Sequence, residues 1–514
     1  MDIKDLRKRY RLALQERQPW EDGYQDCYDY ALPSRKSFFN REAADDAPEI
    51  FDPTAVNGIQ EFASRMQAGM VPNFSQWIKL EVGQELPEDQ RALANKELEK
   101  VTSVFFEYLN ASNFSSQAHE ALIDVGLGTA SLECVEGSSI EPLVFSATPL
   151  PELALEAGPN DEMSGFFRGR KMKASMIEKT YDVTIPDQLK REVGNGGETD
   201  PKLCVVSYVA RNWDKPNEYA YSKYIFLDHE NGSILKSSEH NGRGACQHIG
   251  FRWSKASGEV WGRGPLFNMM PTIRVLNLVT QLTLENAELA VTGLYTYEDD
   301  GVLNPDTVMM RPGTMIPIAP GSGGVRQFNT GGNFQVGDLI VSRLQQEVMK
   351  GLYNETLGPT DKTPMSATEV QQRMADLSRQ IGSAFGRLQV ELVNGVVDRV
   401  LYILDKKNII ERPRINGRSI KIVATSPLAQ AQAIESVNAV TNSLGIIQQF
   451  YGERGLELYS DGAEVAKHVF DELGVPARIF RDEQSRTQMV QNVTMAQQAG
   501  GQPIDPQGTV TPFG

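Results

Sequence analysis

Apolar positions at the start of the chain recur at spacings of three and four. Ile3, Leu6, Tyr10 and Leu14 form one stripe, which predicts an N-terminal helix. Lys4, Arg7, Lys8, Arg9 and Arg11 fall on its other faces. They suit either an anion- or membrane-binding helix or a solvated face on a helix docked by Leu6 and Leu14. The second reading is favoured, because Asp2, Asp5 and Glu16 dilute the charge. Residues 49–125 also read as mostly helical, as in AVNGIQEFASRMQAGM and DQRALANKELEKVTSVFFEYLNAS.

From about Gly126 the period changes. CVVSYVARNW, EYAYSKYIFLD and GSILKSS are short, β-branched and aromatic, with Gly, Asn, Asp and Pro between them. That pattern predicts an antiparallel β-rich section to about Trp261, with NGGETDP as a surface loop. GRGPLFNMMPTIRVLNLVTQLTLENAELAV follows, and from Leu266 to Val291 only Arg274, Glu285 and Glu288 are charged. A helix rich in Asn, Gln and Thr but nearly free of charge is expected to be buried between neighbours.

Residues 293–337 carry Gly and Pro between strand-like pieces and read as a small β-excursion. A second helix is expected from about Asp338 to Glu355, with Ile340, Leu344, Val348 and Leu352 on one stripe. LGPTDKTPM breaks it. Ser366 restarts the helix as an N-cap, and Glu369 completes a capping box. From Val370 to Val400 apolar residues keep 3/4 spacing, so the helix is expected to run to about Asp405, roughly 60 Å at 1.5 Å per residue. Such a length suits an elongated or oligomeric architecture. Residues 428–450 and 462–474 read as further helices, and the Gln-, Gly- and Pro-rich end reads as loose beyond about Ala499.

Composition narrows the function. The 514 residues carry a formal net charge of −16, so a basic surface that grips nucleic acid is not expected. Such a balance suits a surface that DNA slides past. Hydrophobic residues at 40% are enough for a real core. Cys27, Cys134, Cys204 and Cys246 lie far apart without a CxxC pair, which fits a reducing compartment. No stretch reaches the roughly 18 apolar residues that span a bilayer, and the N-terminus lacks a signal-type apolar region. Synthesis in the cytosol is the expectation.

The search for catalytic chemistry is nearly empty. GxxxxGK[ST], HExxH, GxSxG and a Rossmann glycine run are all missing. Gly262-Arg263-Gly264 leads straight into Pro265 and reads as a helix-start turn, and Gly321-Ser322-Gly323-Gly324 as a loop tip. His240, Cys246 and His248 match no zinc spacing, and Glu298, Asp299 and Asp300 read as a solvated acidic turn. No metal site and no cofactor are expected.

Several strings, in order, resemble the portal proteins, or head-to-tail connectors, of short-tailed phages (podoviruses). LQERQPWEDGYQDCYDYALPSR is similar to the family's N-terminal helix with its proline end. WGRGPLFNMMPTIRVLNLV resembles the start of the first stem helix, and LYTYEDDGVLNPDTVMMRPGTMIPI the opening of the clip. TPMSATEVQQRMADLSRQIGSAFGRLQVELV resembles the long helix after the tunnel loop, and DELGVPARIFRDEQSRTQMVQ the C-terminal end. The likeness covers nearly the whole chain and is weakest over 126–260 and the final tail.

This resemblance implies an α+β portal-type fold assembled as a ring, with long stem and crown helices, a β-rich wing section and a small β-containing clip. Its parts would be an N-terminal helical segment at 1–48, a wing at 49–260, a first stem helix at 261–292, the clip at 293–337 and a second stem helix at 338–356. A tunnel loop at 357–365, a long wing/crown helix at 366–410, crown helices at 411–490 and a flexible tail at 491–514 would complete it. A dodecamer at the capsid vertex, assembled in the host cytoplasm, would pass double-stranded DNA without sequence specificity. Its partners would be capsid and scaffolding proteins, the terminase and then a tail adaptor, with no membrane. The chain would not be an enzyme.

The same resemblance places Gly358, Pro359, Thr360, Asp361, Lys362, Thr363 and Pro364 in a loop facing the channel. Asp299, Asp300, Arg311, Gly321, Gly323 and Arg326 would lie on the clip's docking surface. Arg343, Glu347 and Lys350, at i, i+4 and i+7, either line the channel or pair along their own helix, and the second is favoured. Competing classes are another virion or tail-adaptor protein and a cytosolic metal-dependent nucleic-acid enzyme.

Overall fold

The side chain of Asp2 accepts a hydrogen bond from the Ile3 amide and starts helix α1, Ile3–Ala31, which stops two residues before Pro33. Helix α2 (Thr54–Met70), strand β1 (Ile78–Glu81), helices α3 (Glu88–Ala111) and α4 (Phe114–Leu127) follow. The β-rich section holds β2 (Thr129–Glu136), β3 (Leu143–Thr148), β4 (Leu153–Ala157) and β5 (Met163–Lys173). Short helices α5 (Ala174–Tyr181) and α6 (Asp187–Val193) precede β6 (Lys202–Arg211), β7 (Tyr221–Leu227), β8 (Ile234–His240) and β9 (His248–Arg252). Next come α7 (Pro265–Thr292), β10 (Leu294–Thr296), β11 (Arg326–Phe328) and α8 (Phe334–Gly351). Last are α9 (Gly382–Leu388), a π-helical turn at Gln389–Val393, α10 (Asn394–Lys406), β12 (Lys421–Ala424), α11 (Pro427–Tyr459) and α12 (Gly462–Glu472).

The structure, a computed structural model, describes residues 1–35, 49–82, 88–194, 200–214, 218–292, 294–296, 326–328, 334–354, 380–411 and 421–472. It divides into two units, Met1–Ser75 with Phe105–Arg412, and Gln76–Val104 with the chain from Pro413 onward. Residues 76–104, inside the expected wing, therefore group with the C-terminal stretch. In that unit β1 pairs antiparallel with β12, Ile78 opposite Ala424. Ser426 caps α11, which is kinked at Gly452 (φ 67°, ψ −165°).

In the larger unit, β4-β5-β6-β7-β8 form an antiparallel sheet with two dry faces. Alternation along β6 and β7 sorts the side chains. Val206, Tyr208 and Phe226 pack with Phe167 under Leu6, Tyr10 and Ala13 of α1. Leu203, Val205, Ile225 and Leu227 face the other way, against Ala174, Ile177 and Leu189 of α5 and α6. The N-terminal stripe thus lies where its spacing placed it, with Leu14 packed at the rim.

A second sheet, β3-β2-β9, lies against α4 and the helix of residues 382–406. Arg399 donates to the carbonyls of Cys134, Gly244 and Ala245. Glu391, in the π turn, accepts from both the backbone amide and the guanidinium of Arg252. The expected unbroken helix is corrected here. The chain is non-helical at Ile381 and carries the π turn, whose extra residue swings Glu391 onto Arg252. Residues 355–379, which include the predicted cap at Ser366, lie outside the described residues.

Buried charge ties the two sheets together. Arg168 on β5 donates to Glu133 on β2 at 2.5 Å and to Glu152 at 3.2 Å. Gln247 donates to Glu133 at 2.8 Å and accepts from Lys223 on β7 at 2.5 Å. His248 lies beside them, 4% exposed and stacked on Phe166. Burial pushes its imidazole down to about 4, against the pull of Glu133 and with the push of Arg168, Lys223 and Arg399.

The folded pKa of His248 lies below the unfolded one, so the unfolded chain binds the extra proton. Stability is lost as pH falls from about 6.5 toward 4. We expect wild type to lose roughly 2–3 kcal/mol relative to His248→Gln across that window. Urea unfolding of both proteins at several pH values checks this, and parallel curves would refute it.

Candidate functional site

Helix α7 begins at a crossing of two backbone segments. The Gly264 amide donates to Leu127 O and the Trp253 amide to Gly128 O, both at 2.9 Å. Gly262 donates to Thr129 Oγ1 at 2.7 Å and accepts from the Tyr24 hydroxyl at 2.9 Å. A Cβ on Gly128 would strike Gly262 O, and one on Gly264 would strike Gly126 O. Gly128 also has a φ of +148°, which favours glycine. The GRG string is therefore the seat of α7, the helix-start turn its sequence suggests.

From that seat α7 is held through its first half. Leu266, Met270, Ile273 and Leu276 are buried, and Arg274 forms an ion pair with Asp26. The Asn277 carboxamide accepts from the Phe51 amide at 2.8 Å and donates to Glu49 O at 3.0 Å. α8 runs along the helix over its second half as well. A Cβ on Gly351 would meet Met269 Sδ, and one on Gly337 would lie 3.3 Å from Thr283. These two close approaches, fourteen residues apart on each helix, fix an antiparallel pair about 21 Å long. The base of α8 is anchored by buried Val348 and Leu352, by Gln345 donating to Asp52 at 2.7 Å, and by Asn354 donating to Gly58 O at 2.6 Å.

The far end of the pair leads into the β-excursion. Its two described pieces, β10 and β11, pair antiparallel with Leu294 opposite Phe328 and Thr296 opposite Arg326. The excursion therefore leaves and returns through one ladder.

Burial sorts the residues of the pair. α7 is expected to be buried between neighbours, and this chain itself covers its first half, where Leu276 belongs to the core at 1% exposure. Asn277 is satisfied internally, Thr280 and Thr283 donate to carbonyls one turn back, and Gln281 donates to Glu285. Beside the exposed Glu285, Asn286 and Glu288, apolar side chains stay open: Val275, Leu278 and Leu282, at i, i+3 and i+7, are 49%, 53% and 49% exposed, and Leu284 is 52% exposed. On α8 the expected inward stripe is buried only at Val348 and Leu352, while Ile340 is exposed. Leu339, which the spacing did not single out, is 72% exposed. The helix also starts at Phe334, four residues before the expected boundary.

Arg343, Glu347 and Lys350 stand together on the exposed face of α8. Arg326 lies in β11. Asp299, Asp300, Arg311, Gly321 and Gly323 lie outside the described residues, as does the whole of Gly358–Pro364. His240, Cys246 and His248 do not converge: His240 contacts Ser238, Cys246 donates to the His248 carbonyl, and His248 stacks on Phe166. Among the described residues no three His, Cys, Asp or Glu side chains gather as a metal site, and no helix is long and apolar enough to cross a membrane.

Comparison with known proteins adds the family. A probable portal protein of Bordetella phage BPP-1 is 20% identical over 498 residues, covering 89% of this chain and 87% of its own. The portal protein of Escherichia phage T7 is 18% identical over 405 residues, covering 74% and 71%. Among solved structures, the virion of a native gene transfer agent particle contains a chain with a TM-score of 0.35 at 11% identity, with 83% of this chain and 90% of that one covered. The family model described as bacteriophage head to tail connecting protein matches residues 3–480, so the chain belongs to that family.

Proposed function

We propose that this chain is a phage portal subunit, assembled side by side into a ring at the capsid vertex through which double-stranded DNA enters and leaves. The observation that carries the reading is the α7–α8 pair. Asn277 and Gln281 find their partners within the chain, yet Val275, Leu278 and Leu282 stay about half exposed along one side. A neighbouring copy would cover them, at roughly 1.5–3 kcal/mol per fully buried side chain. Repeated around a closed rotation, one heterologous contact makes a ring. The resemblance to portals suggests twelve copies. The family is one of connecting proteins, and we read the chain as structural and not catalytic.

In this reading the excursion gripped by β10 and β11 is the clip. Asp299, Asp300, Arg311, Gly321, Gly323 and Arg326 would serve the terminase during packaging and a tail adaptor afterwards. Glu347 offsets part of the charge of Arg343 and Lys350 along α8, which suits a wall that DNA passes with only weak phosphate contact. Gly358–Pro364 would form the constriction, with Lys362 as its cation and Asp361 offsetting it. Capsid and scaffolding proteins would meet the ring in the host cytoplasm before it enters the virion.

Negative-stain imaging of the purified chain tests assembly, and wild type should show rings with a central hole. Leu282→Asp should leave a folded chain by circular dichroism but no rings, since a neighbour would have to bury the charge. Leu276→Asp should lose the fold itself. Normal rings from Leu282→Asp would overturn the proposed contact.

For the constriction, deleting Thr360–Thr363 should leave rings intact and packaging able to start, while the packaged genome slips out. Nuclease protection of DNA in filled heads measures this. Full retention of a complete genome would remove the loop from the mechanism.

A further inference from the structure

Helix α1 carries more positive charge than its fold uses. Arg7 pairs with Asp228 at 3.5 Å, Arg9 with Glu156 at 2.7 Å and Arg17 with Glu21 at 2.7 Å. These pairs hold the helix to the five-stranded sheet and to itself. Lys4, Lys8 and Arg11 do none of this. All three are exposed, and among the described residues none has a carboxylate partner. Spaced i, i+4 and i+7, they share one stripe of α1 around a shallow open depression that Arg7, Leu12 and Gln15 of the same helix also line. Asp2 is engaged as the N-cap, and the exposed acids of this stretch, Asp5 and Glu16, sit outside the i, i+4, i+7 stripe and offset part of its charge. Solubility does not explain the stripe, since a chain of net charge −16 is already far from neutrality and three cations move it closer.

We propose that Lys4, Lys8 and Arg11 form a phosphate-backbone contact for duplex DNA, separate from the α8 face. The choice of DNA as the polyanion rests on the portal reading above. Seven helical residues span about 10.5 Å, and duplex DNA offers a charge every 1.7 Å of axis or so, about six phosphates over that length. Three point charges on long stems can meet such a row in any register, which suits contact without sequence preference. An acidic protein segment would need its carboxylates spaced to match.

The signature is salt dependence. Three phosphate contacts contribute a slope of about −2.7 to log K against log salt, about 40-fold in affinity between 50 and 200 mM. The experiment uses full-length protein and a short fluorescent duplex of random sequence, read by anisotropy across a salt series. Replacing all three residues (Lys4→Gln, Lys8→Gln, Arg11→Gln) should reduce the slope by about 2.7 or more. The charge-keeping variant (Lys4→Arg, Lys8→Arg, Arg11→Lys) should retain it. An unchanged slope, or no measurable DNA binding by wild type, would overturn the proposal. So would a triple variant that loses affinity for poly-glutamate but not for DNA, which would assign the stripe to an acidic protein. Rings imaged from the same samples keep the two readings apart: normal rings with an unchanged slope fail only this inference.

Discussion

The larger unit turns on one backbone contact, the crossing of residues 126–128 with 262–264. Two chain segments meet there without side chains between them, joined by hydrogen bonds from Gly264 to Leu127 and from Trp253 to Gly128. Any Cβ at Gly128 or Gly264 would strike a carbonyl oxygen. The contact sets where α4 hands over to β2 and where the β-rich section hands over to α7. Tyr24 closes it from α1 through its hydroxyl bond to Gly262. Displacing either segment by the width of a methyl group would re-aim α7, which begins at the next residue.

Everything beyond the crossing inherits that aim. α7 leaves the core after Asn277, and α8 returns along it at a spacing that Gly337 and Gly351 permit. Two helices in such contact behave as one rod, since ridges cannot slide without opening voids. The rod presents the excursion at one end and is rooted at the other in α2, through Leu352, Asn354 and Gly58.

The β-rich region uses a different kind of bond. Glu133, Arg168, Gln247 and Lys223 form a buried polar chain across two sheets, with His248 held neutral beside it. Such networks add little net stability over an apolar core but admit fewer alternative packings. Glu391 on Arg252 does the same for the helix of 382–406, and the π turn is the local adjustment that lets it reach.

Periodicity alone determined a good part of this. The α1 stripe, the strands β6, β7 and β8, the limits of α7 and the end of the helix at about residue 406 were legible because each depends on neighbours within a few residues. The order of motifs was also enough to point to the family. Tertiary structure decided the rest. β1 hides in a helical-looking stretch because its partner among the described residues, β12, lies some 340 residues away. Whether a leucine of α7 serves the core or a neighbour could not be read from spacing: Leu276 and Leu282 look alike in sequence, but one lies before and one after the point where the helix leaves the body. The unpaired cations of α1 were visible as residues, but which of them remained free depended on where Asp228 and Glu156 came to rest. Local pattern records what a residue prefers, whereas exposure and pairing depend on segments brought together only when the chain has folded.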